Sequence, residues 1–396
     1  MRITDVRAAV ALSPFRWVIV QVRTDSGLRG LGETWYTPGV LEALQQLKPL
    51  VVGEDPHNIE MLSTKLLYGK QEAKTTAMDW DACVARYGLA GGAVVEGPTT
   101  MAASGVEIAL FDLIGKALGT PTYNLLGGRF RSWIRMYADL HLPESDDDPV
   151  RASIEAAQEA IAEGFDAVKV DLDLAFPELH RDPWNRSLSG AEVERSYELV
   201  SALVGAVGPG VYVALDCHWQ FSPQDALRLA RKLEELHPFW LEDPIPLGNP
   251  TAMASIAQSS SVPICTGEYS PTAERLYPYL EQRACHVIHP DVCYAGVLET
   301  KKMAALAAIQ VIPCALHNSG GPIATVASAH VAAATRNFLT LENHNQGVPW
   351  WKELVDWNGV EVSGGHVDLS NAGPGLGVAL NHDACKRYVE DHEVLF

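Results

Sequence analysis

Eight short apolar runs, each breaking off at a polar or charged residue, constrain the fold of this chain more than any other feature. They read IRMYADLH, AVKVDLD, VYVALDCHW, FWLEDPI, VPICTGEYS, HVIHPDV, VIPCALHN and FLTLENH, and helical stretches such as SPQDALRLARKLEELH and GVLETKKMAALAAIQ lie between several of them. Strands alternating with helices build parallel βαβ units. Eight such strands predict an α/β (β/α)8-type barrel, with room for a modified first or last repeat. The polar, proline-containing segment PELHRDPWNRSLS after the second run is expected to be a loop.

In such a barrel the functional side chains gather at the carboxyl ends of the strands. The third to eighth runs end at Asp216, Glu242, Glu268, Asp291, His317 and Glu342, in steps of 26, 26, 23, 26 and 25 residues. One strand–helix repeat takes a comparable length, so these six should ring one mouth at similar height. Three neighbouring carboxylates repel one another unless a cation stands between them. Oxygen-only donors favour a hard ion, and open positions for substrate oxygens suit Mg2+. Asp216, Glu242 and Glu268 are therefore the expected metal ligands, the alternative being solvated strand ends. Asp243 follows Glu242 and should face the other side of its strand.

Asp291 and His317 end neighbouring strands. A carboxylate bonded to one imidazole nitrogen fixes the tautomer and makes the other nitrogen more basic, as proton transfer needs. His218 lies two residues beyond Asp216, on the same strand face and further out, where it could act as an acid above the metal or be a loop residue without a role. His289 precedes Asp291 by two and should lie deeper. Lys169 ends the second strand opposite His317, and Asp171 follows on its face, where it could hold the ammonium by charge.

The flanking segments complete the outline. Residues 1–35 read as a strand meander with a turn at Asp25-Ser26-Gly27, and residues 39–70 and 98–118 as helices, the second stopping at Gly119 with Pro121 beyond. This predicts an α+β capping domain over 1–128, a barrel over 129–365, and a glycine-rich tail over 366–396 that returns to the cap. A net charge of −19 argues against nucleic acid or an anionic membrane as partner. Seven cysteines without a CxxC argue against a disulfide framework or zinc site and suit a reducing cytoplasm. No apolar run approaches the roughly 20 residues of a membrane span, and the first residues lack the pattern of a signal peptide.

Together these residues resemble the enolase superfamily in its mandelate racemase-like branch, over essentially the whole chain. The likeness begins at SGVEIALFDLIGKALGTPTYNLLGG, similar to the family's link between cap and barrel. It continues through ALDCHW, WLEDPIP and TGEYS, which match the metal-ligand strands, then HPDVCYAGVLETKKMA and ALHNSGG, which match the Asp–His dyad strands, and LENH, which matches the strand-eight Glu. The resemblance implies a cap closing over the barrel mouth, a base that removes the proton α to a carboxylate, and Mg2+ stabilising the enediolate. A His two residues after the first metal ligand resembles the sugar-acid dehydratases, where it protonates the departing β-hydroxyl; WWKELV and GGHVDLSNAGPGLGV are similar to gluconate dehydratase-like members. The racemase pattern at strand two is Lys-x-Lys, whereas here Asp171 replaces the second lysine. An ammonium beside a carboxylate stays protonated and is a poor base.

The expectation is a Mg2+-dependent dehydratase of an aldonic or aldaric acid, yielding a 2-keto-3-deoxy acid. His317, oriented by Asp291, is the expected base and His218 the acid. Glu342 bonds the substrate carboxylate, and Lys169 supplies charge or acts as a second acid–base group. Asp171, and Arg16 and Trp17 of the cap loop SPFRW, are the expected substrate contacts, although that loop also reads as an ordinary turn. The expected partners are a small anionic sugar acid and further copies of the chain. The alternatives are a racemase, epimerase or cycloisomerase using the same chemistry, and a non-catalytic binding barrel.

Overall fold

The computed structural model describes residues 1–68, 97–141, 148–176 and 187–396; residues 177–186 of the expected loop, residues 69–70 of the expected first helical stretch, and Cys83 lie outside the described residues. The chain opens with an antiparallel sheet, β1 (Ile3–Ala11), β2 (Trp17–Thr24) and β3 (Arg29–Trp35), in the order β1-β2-β3. Helices α1 (Val40–Val51), α2 (Ile59–Tyr68) and α3 (Pro98–Leu118) pack against it. Helix α3 crosses β3 so closely that a Cβ at Gly32 would lie 2.0 Å from the carbonyl oxygen of Gly105. It ends at Gly119 in the left-handed conformation (φ 65°), the C-terminal stop its sequence predicts. A short helix, α4 (Thr122–Leu125), leads into the barrel.

The eight predicted strands are β4 (Trp133–Asp139), β5 (Ala167–Asp171), β6 (Tyr212–Asp216), β7 (Leu241–Glu242), β8 (Ile264–Thr266), β9 (Val287–Ile288), β10 (Cys314–Leu316) and β11 (Phe338–Asn343). They pair in sequence order, and β11 closes on β4 in parallel register, Glu342 opposite Tyr137. Helices α5 (Pro149–Ala162), α6 (Gly190–Val207), α7 (Pro223–Leu233), α8 (Pro250–Ala257), α9 (Ala273–Glu281), α10 (Val292–Ile309) and α11 (Pro322–Ala334) connect them. The last repeat is the modified one. After β11 come 3-10 turns, β12 (Val355–Trp357), and the hairpin of β13 (Glu361–Ser363) and β14 (His366–Asp368), whose second strand pairs antiparallel with β4. The tail therefore adds first to the barrel. β15 (Val378–Leu380) pairs with β12. The chain then runs through α12 (His382–Tyr388) to the cap, where Ala11 bridges Val389 and the Glu390 N–H donates to Val10 O at 2.8 Å. Among the described residues no helix is long and apolar enough to cross a membrane.

The barrel interior decides what the strand ends can do. Tyr137, Ala167, Ala214, Trp240, Cys265, Val287 and Ala315, from seven successive strand segments, form one buried cluster. Two large rings, Tyr137 and Trp240, fill the space between smaller side chains in it, so the interior is a packed floor and not a pore. The polar residues two positions further along most strands stand on that floor.

Candidate active site

The clearest unit is the pair from β9 and β10. A parallel bridge joins Asp291 to His317 just beyond both strands. Asp291 caps the N-terminus of α10, one oxygen accepting the Cys293 N–H. Its other oxygen lies 2.6 Å from His317 Nδ1. A carboxylate only accepts, so Nδ1 donates to Asp291 and Nε2 is the nitrogen turned to the mouth. Nε2 lies 3.4 Å from Glu268 and 3.4 Å from Glu342. The Trp35 indole of the cap meets the imidazole edge to face at 5.3 Å.

Lys169 stands at the centre of the remaining strand ends, almost wholly buried. Its ammonium lies 2.6 Å from Glu342, 2.8 Å from Asp216, 3.0 Å from Glu242 and 3.5 Å from Asp139. Burial alone would lower its pKa, but Asp216, Glu242 and Glu342 raise it well above the ordinary lysine value. Burial likewise opposes ionisation of Asp216, yet Lys169 and His218 hold its carboxyl below the usual range. Lys169 is a fixed cation here, in keeping with a charged helper. Asp171 is not among these four carboxylates; it sits with Asp216 and His218, their ligand atoms within 4.8 Å of one another, and the charge of Lys169 still reaches it. Burial, then the charges of Asp139 and Asp216, push its carboxyl well above the ordinary range.

Glu268 reaches the mouth by a different route from its neighbours. Cys265 already faces the barrel floor, so strict alternation would send Glu268 outward. Gly267, at φ 131°, breaks the alternation and turns Glu268 in toward His317. Asp243 faces the opposite side from Glu242, as expected, and accepts the Thr266 hydroxyl. Glu242 is gripped from below by Trp240 Nε1 at 2.8 Å and His289 Nε2 at 3.2 Å. His289 thus lies deep, beneath the mouth, with Tyr137 Oη 3.3 Å away.

The oxygen donors Asp216, Glu242 and Glu268 do not close into one cluster. Among the described residues, the groups whose ligand atoms all lie within 4.8 Å are Glu242–Cys265–His289, His317–Glu342–His344 and Asp171–Asp216–His218. Lys169 holds two of the expected ligands while Glu268 turns to His317. Burial first, then Asp243, Asp216 and Glu242, drive the Glu268 carboxyl well above its ordinary range. A hard divalent cation among the three carboxylates would relieve that repulsion, so the donor set fits one.

His218 follows in a strained turn. His218 and Trp219 both adopt positive φ, 40° and 60°, a conformation that costs on the order of 1–3 kcal/mol per non-glycine residue and recurs at functional sites. The turn is held by the His218 N–H to Asp216 (3.0 Å) and the Trp219 N–H to Asp243 O (2.7 Å). His218 Nδ1 lies 3.0 Å from Asp173. Burial alone would lower its pKa, but Asp173 and Asp216 raise it to about 10, so the ring carries a proton to give.

The cap loop delivers a different residue from those expected. Trp17 is buried and donates through Nε1 to Ser319 O at 3.0 Å, and Arg16 is exposed over the Tyr36 ring. Phe15 instead packs against His141 and His344, ring centroids 5.3 and 5.2 Å away. Sequence reasoning also passed over Asp139 and His344, which form an ion pair at 2.5 Å beside Lys169 and Glu342. The strand-end signal that found Asp216 and His218 was available for both: Asp139 ends the first run, and His344 lies two beyond Glu342.

Comparison with known proteins agrees with this architecture. Residues 6–127 match the mandelate racemase / muconate lactonizing enzyme N-terminal domain, and residues 152–384 match the enolase C-terminal domain-like family. The chain is 37% identical to the D-xylonate dehydratase of Haloferax volcanii over all of its length and 90% of the relative's. It is 28% identical to the D-gluconate/D-galactonate dehydratase of Picrophilus torridus, over 94% of the chain and 88% of the relative. A crystal structure of a mandelate racemase/muconate lactonizing enzyme-like protein from Rubrobacter xylanophilus superposes with a TM-score of 0.87 at 35% identity, covering 98% of each chain.

Proposed function

Because the chain belongs to the mandelate racemase / muconate lactonizing enzyme family of the enolase superfamily, we propose that it is a dehydratase of an aldonic acid, removing water across C2 and C3 to give a 2-keto-3-deoxy acid. The observation that carries this reading is the pairing of a base and an acid in one mouth. His317 turns Nε2 to the mouth, with Nδ1–H donated to Asp291, while His218 bears a proton held by Asp173. A racemase needs two bases facing one carbon, and Lys169, locked among carboxylates, does not serve as the second. The dehydratases of aldonic acids among the relatives support the same assignment.

His317 takes the C2 proton, and Asp291 stabilises the imidazolium that forms. His218 gives its proton to the departing 3-hydroxyl. Lys169, with Glu342 beside it at 2.6 Å, supplies positive charge where the enediolate develops. Asp216, Glu242 and Glu268 would hold Mg2+, whose bound charge lowers the acidity barrier of the α-carbon. Collapse of the enediolate breaks the C3–O bond, and the enol released tautomerises to the 2-keto acid.

The test is incubation with Mg2+ and a panel of pentonic and hexonic acids, xylonate first, with semicarbazide detection of keto acid in D2O. Release of keto acid that stops on adding a chelator is the expected result. Deuterated starting material returned without keto acid would establish an epimerase or racemase instead.

A further inference from the structure

Helix α11 begins directly after the loop that carries His317, yet it has no cap of its own. Its N-cap position is Gly321, followed by Pro322, and the N-cap residue offers no side-chain acceptor to its first N–H groups. Those groups are normally satisfied by a Ser, Thr, Asp or Asn at the N-cap. Here the acceptor comes from the other domain. Glu33 of β3, fully buried, accepts from the Gly321 N–H, the Ile323 N–H at 3.2 Å and the Ala324 N–H at 3.3 Å. Glycine at 320 and 321 is what lets it approach: a Cβ at either would lie 3.1 Å from Glu33 Oε1, and one at Gly321 only 2.7 Å from the Trp17 ring.

The next two residues of β3 reach the same dyad by other paths. Thr34 Oγ1 donates to Cys293 O at 2.9 Å, and the Cys293 N–H is the one that Asp291 caps. Trp35 packs on the His317 ring itself. Three consecutive cap residues thus touch the His317 loop, the Asp291 helix and the imidazole.

We propose that Glu33 is a positioning residue: by capping α11 from the other domain it places the His317 loop, with Thr34 doing the same for Asp291, so that the dyad is aligned only while the cap is docked. This rests on the reading of His317 as the base. A misplacement near 1 Å costs a reaction on the order of 100-fold, and the carboxylate-to-N–H bonds span the loop in question.

The test compares wild type, Glu33→Gln, Glu33→Ala and Thr34→Val as full-length protein. One readout is kcat and KM with Mg2+; the other is the 15N shifts of the His317 ring in substrate-free protein, assigned by their loss in His317→Asn. Glu33→Ala should lower kcat roughly 100-fold with KM within about twofold, and move the ring shifts away from their wild-type values. Glu33→Gln, which keeps one acceptor oxygen, should fall between it and wild type. If Glu33→Ala does not fold, Glu33→Gln and Thr34→Val carry the test, because both are near-isosteric. Unchanged ring shifts and kcat, with only the melting temperature lowered, would overturn the proposal. If wild type dehydrates no acid but the ring shifts still respond to Glu33, the functional reading fails and the positioning role stands.

Discussion

Lys169 faces Asp139, Asp216, Glu242 and Glu342 within 3.5 Å, more negative charge than one ammonium neutralises. Removing a partner from such a buried set leaves uncompensated charge, which costs about 3–5 kcal/mol. Lys169→Met should therefore lose about that much stability in urea unfolding, and millimolar Mg2+ should raise its midpoint more than it raises that of wild type. No response to Mg2+ in either protein would count against the cation site. At His317 the expectation is opposite in kind. His317→Asn removes the base and little packing, so kcat should fall about 100- to 10,000-fold with the melting temperature nearly unchanged. Near-normal α-proton exchange in that variant would transfer the role of base to Lys169.

Strand β3 shows how an element too short to be stable alone becomes a determinant of the site. Gly30 and Gly32 let it lie against α3 with no side chain between, a Cβ at either standing 2.0 Å from a helix carbonyl oxygen. That contact brings Glu33, Thr34 and Trp35 level with the dyad. Gly32→Ala cannot be absorbed by rotamer change, because the atoms it would strike are backbone. A loss of at least about 2 kcal/mol in urea unfolding is expected. The strand itself was plain in the sequence, as β-rich residues returning from a turn. Its three contacts with the barrel were not, since nothing local links residue 33 to residue 321.

His330 of α11 lies at the junction of the two domains and reports on the assembled molecule. Its Nδ1 accepts the Tyr123 N–H at 3.3 Å and its Nε2 donates to Leu376 O at 3.1 Å, so the neutral ring is satisfied on both sides. Burial pulls its pKa down to about 4, against some help from the Leu376 carbonyl. The unfolded chain, with a pKa of 6.5 for this ring, takes up the proton first. The stability associated with His330 is therefore complete above pH 6.5 and is lost as the pH falls toward 4, by roughly 3 kcal/mol in all. Unfolding free energies measured across that window should fall more steeply for wild type than for His330→Gln; equal slopes would contradict the assignment. The eight strands, their order and the six strand ends from Asp216 to Glu342 were legible in the chain alone, because hydrophobic alternation and repeat length are local and the barrel imposes one phase on them all. The folded molecule was needed to see that Lys169 pairs with Asp216, Glu242 and Glu342, that Gly267 turns Glu268 inward, and that Phe15 is the cap-loop residue against the histidines. Those outcomes depend on which charges and rings meet across the barrel mouth, and such meetings are set by packing between segments as far apart in the chain as Phe15 and His344.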